Sequence, residues 1–97
     1  MATLSEAEIH EKLQHLPGWV LAGGNIEKQF TFISFLPAVA FVNRVAEAAE
    51  GVNHHPDITI NYSRVTMALS THSAGGITQK DFDLAAEINR LESASAS

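Results

Sequence analysis

The 97-residue chain contains no cysteine, which excludes disulfides and thiolate metal sites. Basic residues are few. Lys12, Lys28, Arg44, Arg64, Lys80 and Arg90 lie scattered along the sequence, and the net charge is −5. Nucleic-acid binding draws on a clustered basic face, and these six positions offer none. No apolar run approaches the roughly 20 residues of a membrane span. The first eight residues lack a basic segment followed by an apolar one, so they do not read as a signal peptide. The expectation is a cytoplasmic protein with neither nucleic-acid nor membrane partners. Repeats and linkers are also lacking, and 45% apolar content is ordinary for a globular protein. Residues 1–97 are therefore read as a single domain, with 93–97 as a frayed tail.

What the chain does have is histidine in an unusual arrangement. Three of its five histidines fall in two short segments, Glu50-Gly51-Val52-Asn53-His54-His55-Pro56-Asp57 and Ser70-Thr71-His72. The residues between them read as a hairpin. Ile58, Ile60 and Tyr62 alternate with polar residues, as do Val65, Met67 and Leu69. A two-residue turn at Ser63-Arg64 would pair Tyr62 with Val65, Ile60 with Met67 and Ile58 with Leu69, with all six side chains on one face. Extended further, that register sets His55 opposite His72 at the open end of the hairpin.

The remaining elements follow from caps and periodicity. Thr3 or Ser5 caps a first helix whose apolar stripe is Ile9, Leu13 and Leu16, and Pro17-Gly18 ends it. Trp19 to Leu21 begin a strand, Gly23-Gly24-Asn25 turn, and Ile26 to Phe32 return as a second strand. Lys28 interrupts the apolar positions of that strand, which predicts an edge strand or a frayed end. Ser34 caps a second helix with Pro37 in its first turn, running to about Glu50. Phe35, Leu36, Val39, Val42, Val45 and Ala46 cover one broad face of it, and Ala40, Phe41, Ala48 and Ala49 much of the rest. A sheet covers one side of such a helix, so a second subunit is expected on the other. Pro56 forces the helix to stop near His54 or His55. A third helix begins at about Thr78, with Asp81 at its third position, where a carboxylate caps. Phe82, Leu84, Ala85, Ile88 and Leu91 form its apolar side. The order α-β-β-α-β-β-α predicts an α+β fold, a four-stranded antiparallel sheet with three helices packed on one face.

The pattern Glu50-x3-His54-His55-Pro56-x5-Tyr62-x9-His72-x8-Asp81 resembles the signature of the pterin-4a-carbinolamine dehydratases. The likeness extends to Leu16-Pro17-Gly18-Trp19, Phe30-x-Phe32 and Leu69-Ser70-Thr71-His72, and spans nearly the whole chain. One departure is Ile58, where some relatives carry an aromatic residue. The resemblance implies an enzyme that converts 4a-hydroxytetrahydrobiopterin, a by-product of aromatic amino acid hydroxylases, to quinonoid dihydropterin and water. It implies no metal or organic cofactor, a homodimer or homotetramer, and a hydroxylase in the same pathway. It places His54, His55 and His72 at a pterin site flanked by Pro56, Thr71, Ser73 and Ala74, with Glu50 and Asp81 behind.

Histidines suit that chemistry on their own account. Loss of water from a carbinolamine needs an acid at the hydroxyl and a base for a ring-nitrogen proton, and imidazole supplies both near neutral pH. His55 and His72 are expected to transfer protons, with His54 orienting the pterin or handling its opposite stereoisomer. Glu50, one helical turn before His54, can hold an imidazole in one tautomer. The N-terminus of the third helix can present N–H groups to a pterin oxygen. Plainer readings compete. Asp81 serves equally as a helix cap, Tyr62 and Trp19 as core, and His10 and His15 as exposed residues. Zinc binding is disfavoured because adjacent residues of an extended segment, such as His54 and His55, point to opposite sides. A second class of function is a non-catalytic interaction protein. Relatives of that kind include a dimerisation cofactor of a homeodomain transcription factor and assembly chaperones for a carbon-fixing enzyme.

Overall fold

The computed structural model describes residues 3–95. Three helices and four strands follow in the expected order: α1 (Glu6–Leu13), β1 (Val20–Ala22), β2 (Asn25–Thr31), α2 (Phe35–Val52), β3 (Asp57–Asn61), β4 (Arg64–Leu69) and α3 (Gln79–Ser95). The strands form one antiparallel sheet in the order β1-β2-β4-β3, with the helices on one face. No helix among the described residues is long and apolar enough to cross a membrane.

Two of the three helices start at a side-chain cap. Ser5 Oγ accepts from the Glu8 N–H while the Glu8 carboxylate accepts from the Ser5 N–H, a complete capping box. Those bonds hold the Glu8 carboxyl below its ordinary range. α2 starts after Ser34, although the Ser34 side chain makes no cap bond, and it runs two residues past the expected end at Glu50. Asn53 stops it in the left-handed conformation, with φ 51° and ψ 45°. α3 is capped by Thr78, whose hydroxyl accepts from the Lys80 N–H and whose own N–H donates to Asp81. Residues 93–95, expected as tail, continue this helix, and 96–97 lie outside the described residues.

The core lies between the sheet and α2 and α3. Ala38, Phe41, Val45 and Ala49 form the buried stripe of α2 at helical spacing. Phe41 stacks with Phe30 and Phe32 at ring distances of 5.0 and 5.1 Å, and Trp19 meets Phe30 edge-on at 6.2 Å. From α3, Phe82, Leu84, Ala85 and Ile88 complete it. His10 and His15 are exposed, as expected.

Three expectations need correction. First, β2 is central, between β1 and β4. Lys28 faces the helices because its ammonium has partners there: the Pro17 carbonyl at 3.1 Å and Asn89 Oδ1 at 2.9 Å, above the Phe30 ring at 4.8 Å. Its stem fills the space beside Gly18, where any Cβ would lie 2.5 Å from Lys28 Cε. Second, the hairpin turn is Tyr62-Ser63 rather than Ser63-Arg64. Tyr62 takes the left-handed conformation (φ 55°), so the pairs are Ile58 with Met67 and Ile60 with Val65. A slip of two residues keeps the same side chains on the same face, so the core pattern survives. Third, Tyr62 itself is exposed at the turn and belongs to no core.

Candidate active site

The two histidine segments meet at one end of the sheet. A cleft of about 330 Å³ is lined by Asn53, His54, His55, Ser70, Thr71, His72, Ser73 and Lys80. That volume falls within the range of small-molecule sites, about 300–1,000 Å³. The chain reaches it by local turns. The left-handed Asn53 ends α2 and releases His54 and His55 into an extended segment that Pro56 keeps out of the helical region. On the other side β4 stops at Leu69, and His72 opens a 3-10 turn, His72–Ala74, closed by a Thr71↔Gly76 bridge. The strand ladder does not set His55 against His72. With the observed register it would carry His55 towards Ser70. The loop after β4 brings His72 to the cleft.

Behind the cleft lies a buried polar network centred on Asp81, which is fully enclosed. Its Oδ1 accepts from His54 Nε2 at 2.5 Å, and its Oδ2 accepts from the Thr71 hydroxyl and from the Thr78 N–H, both at 2.9 Å. The Thr71 and Thr78 hydroxyls are 2.8 Å apart. With Thr71 donating to Asp81 and Thr78 Oγ1 already accepting from Lys80, the remaining proton of Thr78 points to Thr71. Every member is satisfied, as a buried network requires. Asp81 is thus both the cap of α3 and the anchor of His54. A carboxylate accepting from Nε2 sets the orientation of the ring and favours the Nε2–H tautomer.

The second carboxylate is placed differently from expectation. Glu50 bonds His55 Nε2 at 2.5 Å, and the reversal at Asn53 takes His54 away from it. This pair is open to solvent, with 75% of the Glu50 side chain and 53% of that of His55 exposed. His72, also exposed, lines the same cleft. Pro56 and Ala74 sit just outside the lining. Pro56 shapes the chain at His55, and the Ala74 N–H closes the 3-10 turn on the Thr71 carbonyl at 3.0 Å. The first turn of α3 presents fewer free N–H groups than expected, because those of Thr78, Lys80 and Asp81 are already bonded within the cap.

Sequence reasoning missed Asn53, Ser70 and Lys80 in the lining. Asn53 carried a signal, since asparagine is the commonest non-glycine residue in a left-handed helix end. Lys80 also lines a smaller apolar cavity of about 160 Å³ between α2 and α3, on which His54 borders too. Among the described residues no group of three or more histidines and carboxylates is arranged to hold a metal ion.

This chain resembles known proteins along nearly its whole length. A relative from Acidobacterium capsulatum, named "Putative pterin-4-alpha-carbinolamine dehydratase", is 54% identical over 91 residues, covering 94% of this chain and 99% of its own. A relative of the same name from Thermosynechococcus vestitus is 52% identical over 88 residues, covering 91% and 93%. Among solved structures, the transcriptional coactivator/pterin dehydratase from Brucella melitensis superposes with a TM-score of 0.89 at 35% identity, over 93% of this chain and 98% of that one. A pterin dehydratase-like protein described as a RuBisCO assembly factor of the alpha-carboxysome shares the fold, with a TM-score of 0.66 at 23% identity over 80% and 93%. Residues 2–91 match the family Pterin 4 alpha carbinolamine dehydratase, and the chain belongs to that family.

Proposed function

We propose that this protein dehydrates 4a-hydroxytetrahydropterins to quinonoid dihydropterins by histidine acid/base catalysis. The observation that carries the reading is the convergence of His54, His55 and His72 on one cleft, two of them bonded to carboxylates through Nε2. In the reaction one imidazolium protonates the 4a-hydroxyl, and the C4a–O bond breaks to release water. The electron pair of a ring N–H bond forms the new C=N bond, and a neutral imidazole takes that proton. The acid ends neutral and the base ends charged, so the enzyme is restored by one proton exchange with solvent. His55 and His72, the two exposed members of the cleft, carry the transfers. His54, buried and fixed by Asp81, orients the pterin. Each positioned transfer contributes about 10²–10⁴ in rate. Such a reaction needs no metal and no organic cofactor. The physiological substrate on this reading is the carbinolamine released by an aromatic amino acid hydroxylase, and the role is recycling of the pterin.

The protein acts as a homo-oligomer on the same reading. Ile33 (92% exposed), Leu36 (74%) and Phe35 form an apolar patch at the start of α2. Burial of such a patch against a second copy removes it from water.

The test compares the wild type with His55→Ala and His72→Ala in a dehydration assay on carbinolamine generated in situ. Both variants are expected to lose at least about tenfold in rate at unchanged oligomer size. Wild-type rates in both would refute the assignment of the proton transfers.

A further inference from the structure

The loop that carries His72 is weakly constrained by its own sequence. It reads Ser73-Ala74-Gly75-Gly76, and His72, Ser73 and Gly75 are all exposed. Gly75 takes φ 78°, and nothing stands within 4 Å of where its Cβ would be. Consecutive glycines have more backbone freedom than any other pair, so a fixed position for His72 depends on hydrogen-bonded ties. Within the turn, the Ala74 N–H donates to the Thr71 carbonyl at 3.0 Å and the Gly75 N–H to the His72 carbonyl at 3.1 Å. Two further ties hold the turn in place. The Thr71↔Gly76 bridge closes the base, with N–H···O bonds of 2.8 and 3.3 Å. Beyond it, the N-terminal segment crosses the loop. The Leu4 N–H donates to the Ile77 carbonyl at 2.8 Å, and a Cβ on Gly76 would lie 3.1 Å from the Thr3 methyl. This segment is itself anchored. Leu4 packs against the core, and Ser5 opens α1 with its capping box.

We propose that Thr3–Leu4 is a strap that positions the His72 loop for catalysis. The proposal rests on reading the cleft as the carbinolamine site. Thr71 is the junction. Its backbone forms half of the bridge beneath His72, and its hydroxyl bonds Asp81, which holds His54. A shift at Gly76 therefore reaches both walls of the cleft through one residue. Thr3, Leu4 and Gly76 line no part of the cleft and act as positioning residues.

Gly76 does not adopt a positive φ, so alanine fits its backbone, and the added methyl meets Thr3 Cγ2. Thr3→Ser removes that Cγ2 and keeps the hydroxyl. Gly76→Ala is expected to lower kcat about tenfold with a smaller change in KM, because a misplaced proton donor costs the chemical step. It is also expected to speed exchange of the Thr71 amide, which bonds the Gly76 carbonyl, about tenfold. The double variant Gly76→Ala/Thr3→Ser is expected to return both to within about twofold of wild type. A general loss of stability would leave kcat of the folded protein unchanged. Wild-type kcat and Thr71 exchange in Gly76→Ala, or a loss that Thr3→Ser fails to recover, would overturn the strap. Exchange is read without substrate. If the wild-type protein does not dehydrate carbinolamine, the functional reading fails, and the strap is still decided by the Thr71 amide.

Discussion

Asp81 is the residue on which site and fold depend together. It has no exposed surface and accepts three bonds, from a histidine, a hydroxyl and a backbone N–H. Removing it strands three buried donors and breaks a pair whose imidazole is itself only 10% exposed. Asp81→Ala is therefore expected to lower unfolding stability by about 3 kcal/mol or more, read from the denaturant midpoint, and to slow dehydration through His54. Glu50→Gln is the contrast. Its pair with His55 is open to water, so stability is expected to change by less than about 0.5 kcal/mol while the dehydration rate falls. Equal stability losses in the two variants would contradict this division. Half of the role of Asp81 was legible in the sequence, because a carboxylate at the third position of a helix is a local signal. Its bond to His54, 27 residues away, is written in no local pattern. The partner of Glu50 was misjudged for a related reason. Spacing of one helical turn points to His54 only while the helix continues, and Asn53 reverses the chain first.

At the scale of elements, the hairpin shows what periodicity can and cannot resolve. Alternation placed Ile58, Ile60, Tyr62, Val65, Met67 and Leu69 on one face, and the structure agrees for all but Tyr62, which lies in the turn. It could not choose between registers differing by two residues, since both put the same side chains inward. The turn decides, and it falls at Tyr62-Ser63 with a tyrosine in a conformation that favours glycine. An aromatic residue there costs about 1–2 kcal/mol. Tyr62 is exposed and packs little, so Tyr62→Gly is expected to raise stability by about 0.5–1 kcal/mol after the added freedom of the unfolded chain is counted. A lower thermal midpoint for that variant would mean that Tyr62 is held by a contact outside this chain. Lys28 teaches the complementary lesson. A charge in an apolar series reads as an edge, but a central strand accepts it when a carbonyl and an amide oxygen lie within reach. Those acceptors, Pro17 and Asn89, come from distant parts of the chain.

At the scale of the molecule, the order of elements and the helix-covered sheet were readable because α1 and α3 carry side-chain caps and the hairpin strands alternate. The surroundings of α2 were less so. Its sequence is apolar nearly all round, yet only Ala38, Phe41, Val45 and Ala49 are fully buried within one copy of the chain. Ile33, just before the helix, and Phe35 and Leu36 in its first turn are exposed, and a second copy is proposed to cover them. Leu36→Glu is expected to shift the sedimentation equilibrium towards monomer without loss of helical content. An unchanged mass would place the interface elsewhere.

The central claim is that one cleft presents three of the five histidines to a pterin. Its most direct test is a titration of the protein with a 7,8-dihydropterin, a stable analogue of the product, followed through the imidazole resonances of all five histidines. The expected result is saturable shifts of His54, His55 and His72 with a single binding constant, and none at His10 and His15, which lie on α1 and its C-terminal turn. Binding that leaves the three cleft histidines unmoved would contradict the account.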